Sequence, residues 1–212
     1  MREYTVIFDF DGTLANTVSL MMDLYNNVGP EYGALPITED EFDELRILGY
    51  KKAMKAKNIK LRVLPKIAMT VSKEMKLHMD DVKPYDGIVD MLKQLKVQGI
   101  NLGILTSNNA GLVHDFLEVN DFPEFDFVVS EKTFFGKEKA LKRIMKRHNI
   151  PKEQIIYVGD EPRDVVSSIK AGVRVFAVTW GLGGVEGLKK TPPDRLVSTP
   201  SELYDCVIEA IQ

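Results

Sequence analysis

Two carboxylates stand two residues apart in Asp9-Phe10-Asp11-Gly12-Thr13, directly after the apolar run Val6-Ile7-Phe8. A short, partly β-branched run of this kind suits a buried strand. Like charges at the dry end of such a strand raise each other's pKa and are costly to bury. They persist where a divalent cation sits between them, or where one carboxyl keeps its proton. Gly12 lets the chain turn sharply away, and the Thr13 hydroxyl can tie the turn. An Asp-Gly pair alone would be a plain turn signal. The whole string on an apolar strand points to metal or acid–base chemistry.

Three other places carry groups that complement this pair. Thr106-Ser107-Asn108-Asn109 follows the apolar run Leu102-Gly103-Ile104-Leu105. Hydroxyls and backbone amides at that position can donate hydrogen bonds to a ligand, although S-N-N is also ordinary turn chemistry. Lys137 follows Gly136 and opens a helical pattern. A cation there opposes the helix macrodipole and calls for a nearby anion. Lys132 is its competitor, and Lys137 is preferred because it sits on a rigid element. Gly159-Asp160-Glu161-Pro162-Arg163-Asp164 gathers three acids around the end of another apolar run.

The elements that must position these groups alternate from residue 88 onward. Helical spacing covers 88–97, 110–119, 136–148, 162–171 and 201–211, with Ser201 as the last N-cap; strands fall at 101–105, 125–129, 154–158 and 173–178. This alternation predicts an α/β fold, a doubly wound parallel sheet with helices on both faces. Ligands of such sheets bind at the carboxyl ends of the strands. Asp9 and Asp11, Thr106 and Ser107, and Asp160 and Glu161 converge there only if the first strand is central. Between residues 16 and 84 the pattern is helical throughout. Thr17 or Ser19 can start the first of these helices, Gly29-Pro30 stops it, and Thr38 with Glu41 forms a capping box for the next. Residues 1–15 and 85–212 are therefore expected to form a Rossmann-like core, and 16–84 an inserted α-helical cap over the catalytic edge. Nine Lys or Arg and no acid lie between Arg46 and Lys73. This is a solvated face or a positive wall over an anionic substrate.

Asp9-Phe10-Asp11-Gly12-Thr13 resembles motif I, D-x-D-G-T, of the haloacid dehalogenase superfamily. Thr106 and Ser107 resemble motif II, Lys137 matches the motif III lysine, and Gly159 to Asp164 matches motif IV, G-D-x-x-x-D. The four occur in order over nearly the whole chain, which looks most like the phosphoglycolate-phosphatase-like branch with a helical cap. The resemblance implies a phosphatase acting on a small phosphorylated metabolite through an aspartyl-phosphate. It gives Asp9 the nucleophile's role, Asp11 that of general acid and base, and Thr106, Ser107 and Lys137 the phosphate. It implies Mg²⁺ held by Asp9, Asp160 and a backbone carbonyl placed at Asp11, with Asp164 in outer support. Glu161 departs from the commonest pattern and could replace or assist Asp160. Asn16, where many relatives carry Asp, marks a change at the cap hinge.

Bulk properties narrow the remaining classes. A net charge of −3 over 212 residues argues against a general nucleic-acid or membrane-surface binder. The single Cys206 excludes an intramolecular disulfide, and Met1-Arg2-Glu3 runs straight into the first strand with no signal peptide. The expectation is a cytoplasmic protein, monomeric or homodimeric, acting on a small phosphate ester. Gly181-Leu182-Gly183-Gly184 does not open a βαβ unit and reads as a loop rather than a dinucleotide fingerprint. His78, His114 and His148 lack metal spacing, and Trp180 reads as packing. Two rival readings are a phosphosugar mutase resembling β-phosphoglucomutase, distinguished by an isomerised product, and a non-catalytic anion-binding or regulatory module on the same fold. The intact Asp9, Asp11, Lys137 and Asp160 speak against the second.

Overall fold

The structure is a computed structural model that describes residues 3–48, 50–131, 133 and 136–212, without the side chains of 43, 50, 51 and 76. Lys132 lies outside the described residues. The chain begins with β1 (Thr5–Phe8) and passes through four helices: α1 (Val18–Val28), α2 (Glu39–Leu48), α3 (Tyr50–Ala56) and α4 (Leu64–His78). It then alternates: α5 (Ile88–Val97), β2 (Asn101–Thr106), α6 (Ala110–Val119), β3 (Phe127–Ser130), α7 (Lys137–His148), β4 (Ile155–Gly159), α8 (Pro162–Ala171), β5 (Arg174–Val178), α9 (Gly184–Lys189), β6 (Arg195–Val197) and α10 (Pro200–Ile211).

The strands form one parallel sheet in the order β3-β2-β1-β4-β5-β6. β1 is therefore central, with Phe8 opposite Ile104 of β2 and Val158 of β4. Because side chains alternate across a strand, Val6 and Phe8 pack on one face with Leu92, Leu95, Phe116 and Leu203, while Ile7 packs on the other with Leu141, Ile144 and Val165. Burial on both faces explains why β1 reads as a continuous apolar run rather than an alternating one.

The helical segment between β1 and α5 leaves and re-enters at adjacent points, since Asn16 N donates to Lys83 O at 2.9 Å. It holds a small core of Val28, Ala34 and Ile67. Leu24, Met75, Met79 and Val82 instead join the main core beside Phe10 and Leu14. The Thr38–Glu41 box forms, with Glu41 N donating to Thr38 Oγ1 at 3.3 Å and Thr38 N to Glu41 Oε2 at 3.0 Å. Of the basic stretch, Lys52, Lys55, Lys60, Arg62, Lys66 and Lys73 are exposed. Lys57 is buried, reaching Pro36 O and Glu41, each at 2.8 Å.

Four differences from the sequence expectation are local. The last helix is capped by Thr199, whose Oγ1 accepts from Glu202 N at 3.1 Å, with Pro200 rather than Ser201 opening the helix; proline's fixed φ suits that position. The loop at Gly181–Gly183 runs into α9 at Gly184, and β6 adds a sixth strand. β3 starts at Phe127, after Asp126 N has bonded to Leu102 O at 2.8 Å. Among the described residues, no helix is long and apolar enough to cross a membrane.

Candidate active site

Asp9 is the residue after β1, and its backbone N–H extends the sheet by donating to Val158 O at 2.8 Å. Its carboxylate is buried at that end: Oδ1 accepts from Phe10 N at 2.8 Å and Oδ2 from Lys137 Nζ at 2.5 Å. Lys137, the first residue of α7, also reaches Asp164 Oδ1 at 2.5 Å and lies 5.5 Å from the centre of the Tyr157 ring. The anion that a cation at this helix start requires is thus a pair of buried aspartates. Burial pulls the lysine's pKa down, but the charges of Asp164 and Asp9 outweigh it and raise its pKa.

Asp160 follows β4 and is completely buried. Thr13 Oγ1 donates to its Oδ1 at 2.9 Å and Leu182 N to its Oδ2 at 2.7 Å. Thr13 therefore ties the motif I turn across to the neighbouring strand end rather than to itself. Gly12, at φ +75°, has no alternative: a Cβ there would fall 2.5 Å from Asp160 Oδ2. One oxygen each of Asp9, Asp160 and Asp164 lie within 4.8 Å of one another. Glu161 is buried beside them but turned to Arg163, whose Nε donates to Glu161 Oε1 at 2.7 Å. Its backbone N–H donates to Asp164 Oδ2 at 3.2 Å, which fixes the start of α8.

Asp11 keeps some solvent access and faces the β2 end, where Asn108 Nδ2 lies 3.3 and 3.2 Å from its two oxygens. Burial among protein atoms, then the charge of Asp9, pushes its carboxyl up to about 7. Among the described residues the Thr17 hydroxyl has no partner in hydrogen-bonding geometry, yet it lies near enough to favour the charged Asp11. Thr106 is buried and its Oγ1 accepts from Asn108 N at 2.9 Å, while Ser107 is exposed. Ser130 Oγ holds the same turn through Asn108 O at 2.6 Å. Trp180 Nε1 donates to Thr13 O at 3.1 Å and so braces the turn that carries Asp11. Asn108 and Trp180 are thus site residues that the S-N-N turn and the packing reading conceal.

Burial, then neighbouring acids, pushes Asp160 up to about 7; Glu161 is pushed up to about 7 by burial against the pull of Arg163; burial also raises Asp9 despite Lys137. Among the described residues, five acids (Asp9, Asp11, Asp160, Glu161, Asp164) face two cations (Lys137, Arg163) around one strand edge, a formal excess of three negative charges. An oxygen-only, anion-rich cluster of this kind fits a hard divalent cation such as Mg²⁺.

A family model described as haloacid dehalogenase-like hydrolase matches residues 6–178. The chain is 29% identical over 208 residues to a phosphoglycolate phosphatase of Synechococcus elongatus, covering 98% of each chain. It is 26% identical to a pyrophosphatase PpaX of Halalkalibacterium halodurans, again over 98% of each. The crystal structure of a predicted phosphatase from Clostridium acetobutylicum superposes with a TM-score of 0.80 at 25% identity, covering 98% of this chain and 99% of that one.

Proposed function

The chain belongs to the haloacid dehalogenase-like hydrolases, and on that premise we propose that it is a Mg²⁺-dependent phosphatase that hydrolyses a small phosphomonoester, of the phosphoglycolate kind, through an aspartyl-phosphate on Asp9. Residues 16–84 act as the cap over the site, and residues 1–15 with 85–212 as the catalytic core. The observation that carries the reading is the pairing of roles at one strand edge. Asp9 is paired with the buried Lys137 at 2.5 Å, whereas nearby Asp11 keeps some solvent access and accepts from the Asn108 amide. A carboxylate fixed beside a buried ammonium and a second one open to solvent suit a nucleophile and an acid–base group.

In the first step Asp9 attacks phosphorus and the ester oxygen leaves with the proton of Asp11. In the second, Asp11 takes a proton from water as that water attacks the acyl-phosphate, releasing inorganic phosphate and restoring Asp9. Asn108, on both oxygens of Asp11, holds that carboxyl in place for both transfers. Ser107, exposed at the end of β2, and the amides of its turn receive phosphoryl oxygens, with Thr106 bracing the turn. Lys137 counters the negative charge that develops beside Asp9. Asp9 and Asp160 would hold Mg²⁺ directly, with the Asp11 carbonyl from the family pattern and Asp164 in support, while Glu161 is engaged by Arg163. When bound, the ion offsets repulsion between the Asp9 carboxylate and the phosphate dianion.

The test is release of inorganic phosphate from a panel containing 2-phosphoglycolate, pyrophosphate and sugar phosphates, with Mg²⁺ and with chelator. Preference for 2-phosphoglycolate, lost on chelation, is the expected result. Absence of phosphate release from every monoester with Mg²⁺ present overturns the proposal.

A further inference from the structure

In the sequence Gly181-Leu182-Gly183-Gly184 is a glycine-rich loop without a fingerprint. In the structure it is the place where the helical insertion and the buried carboxylates meet. One side of the loop lies against Asp160: Leu182 N donates to Asp160 Oδ2 at 2.7 Å, and Gly183 N to the Asp160 carbonyl at 3.1 Å. The approach leaves no room, since a Cβ at Gly181 would fall 2.3 Å from both Asp160 Oδ2 and the Gly12 carbonyl oxygen.

The other side of the loop receives Arg46 from α2. Its Nε donates to Leu182 O at 2.9 Å, and its Nη2 to Gly181 O at 2.5 Å and Thr179 O at 3.4 Å. The guanidinium lies over Gly184, where a Cβ would come within 2.7 Å of Nε, and Phe42 covers it with a ring centre 5.3 Å from Cζ. A planar, multiply donating fork can hold several carbonyls of one loop at once; an ammonium on a flexible stem cannot hold them in a fixed plane. Leu182 is common to both sides. Its carbonyl is held by Arg46 and its amide holds Asp160.

We propose that Arg46 is a positioning residue that couples the seating of the cap on the core to the geometry of Asp160. With the cap seated, Arg46 clamps the loop and the loop fixes Asp160 Oδ2. Without the clamp, Asp160 keeps the Thr13 bond at Oδ1 but loses the fixed support at Oδ2, and the metal site is loosened. This rests on the reading of Asp160 as a metal ligand. The glycines at 181 and 184 are then the close-approach points of a transmission element rather than loop filler.

The experiment is direct titration of the whole protein with Mn²⁺, without substrate, following free Mn²⁺ by electron paramagnetic resonance. Parent, Asp160→Asn, Arg46→Met, Arg46→Lys and Lys190→Ala are compared. Partners of metal ligands typically contribute ~10–100-fold in affinity, and Arg46 acts one bond further out, so Arg46→Met should weaken Mn²⁺ binding roughly 3- to 10-fold. Arg46→Lys should weaken it too, which a simple requirement for positive charge would not produce, and it carries the test if Arg46→Met does not fold. Lys190→Ala removes another bond between the same two regions, Lys190 Nζ to Ile47 O, and should leave affinity at the parental level. Arg46 variants within twofold of the parent, while Asp160→Asn abolishes binding, would overturn the inference. So would an equal loss in Lys190→Ala, which would reflect cap docking in general. If Asp160→Asn itself leaves Mn²⁺ binding unchanged, the metal-site reading falls and takes this one with it.

Discussion

Replacing Lys137 with Met keeps most of the side chain's volume and removes its charge from between two buried aspartates. The structure sets the size of the effect. The lysine side chain is 4% exposed and its partners Asp9 and Asp164 are 5% and 0% exposed, each 2.5 Å away. Two unit charges 4 Å apart attract by about 4 kcal/mol at an effective dielectric near 20, so two partners give roughly twice that. Desolvation of the ammonium, several kcal/mol, returns when it is gone, and buried pairs broken on one side typically lose about 3–5 kcal/mol. For a chain of this length about 2–4 °C accompanies each kcal/mol, so the metal-free variant at pH 8 should melt roughly 6–20 °C below the parent. The loss comes from carboxylates left charged and unpaired. Lowering the pH to 5.5 helps Asp9, whose pKa burial already raises, to take up a proton, and adding Mg²⁺ supplies another counter-charge; either should shrink the gap. Thermal unfolding at both pH values, with chelator and with Mg²⁺, measures this. A gap below about 1 kcal/mol, or one indifferent to pH and metal, would show that Lys137 does not neutralise the site.

Asp11→Asn should slow both phosphorylation of Asp9 and its hydrolysis by ~10²–10⁴-fold, the usual contribution of a general acid–base group; single-turnover kinetics that show only weaker metal binding would refute the proton-transfer role. The metal-free parent should lose stability as pH rises. Asp11, Asp160 and Glu161 are pushed up to about 7 from ordinary values near 4, so the folded state binds more protons than the unfolded one across that window, and stability falls as pH climbs through it. Because Mg²⁺ competes with the protons of the carboxylates around it, the rise in Tm that it produces should be larger at pH 8 than at pH 5.5, and an equal or smaller rise at pH 8 contradicts the assignment of Asp160 to the metal site.

The parts of this molecule legible in its sequence are those with short-range signals. β1 announces itself because both its faces are buried, and the alternation after residue 88 fixes a parallel sheet whose carboxyl edge gathers Asp9, Thr106 and Asp160. β6, three residues long, and α9, six, are too short to show a period. The choice between Asp160 and Glu161 is open in the sequence because both follow the same strand; pairing of Glu161 with Arg163 distinguishes their surroundings in space. Long-range contacts leave no trace either. Arg46 looks like one of nine solvated cations, yet it bonds carbonyls more than 130 positions away. Asn108 looks like turn chemistry and instead faces Asp11 across 97 positions.

Turnover is expected to pass through phosphorylation of Asp9. Protein mixed with excess phosphomonoester and Mg²⁺, quenched in acid within milliseconds and digested, should yield a peptide containing Asp9 with one added phosphoryl group. Borohydride reduction should convert Asp9 alone to homoserine. In Asp11→Asn the adduct should form more slowly and, once formed, persist longer after substrate is removed, and in Asp9→Asn it should vanish together with phosphate release. Turnover by the parent with no adduct at Asp9 in either the parent or Asp11→Asn, or an Asp9→Asn variant that keeps activity within tenfold of the parent, would contradict it.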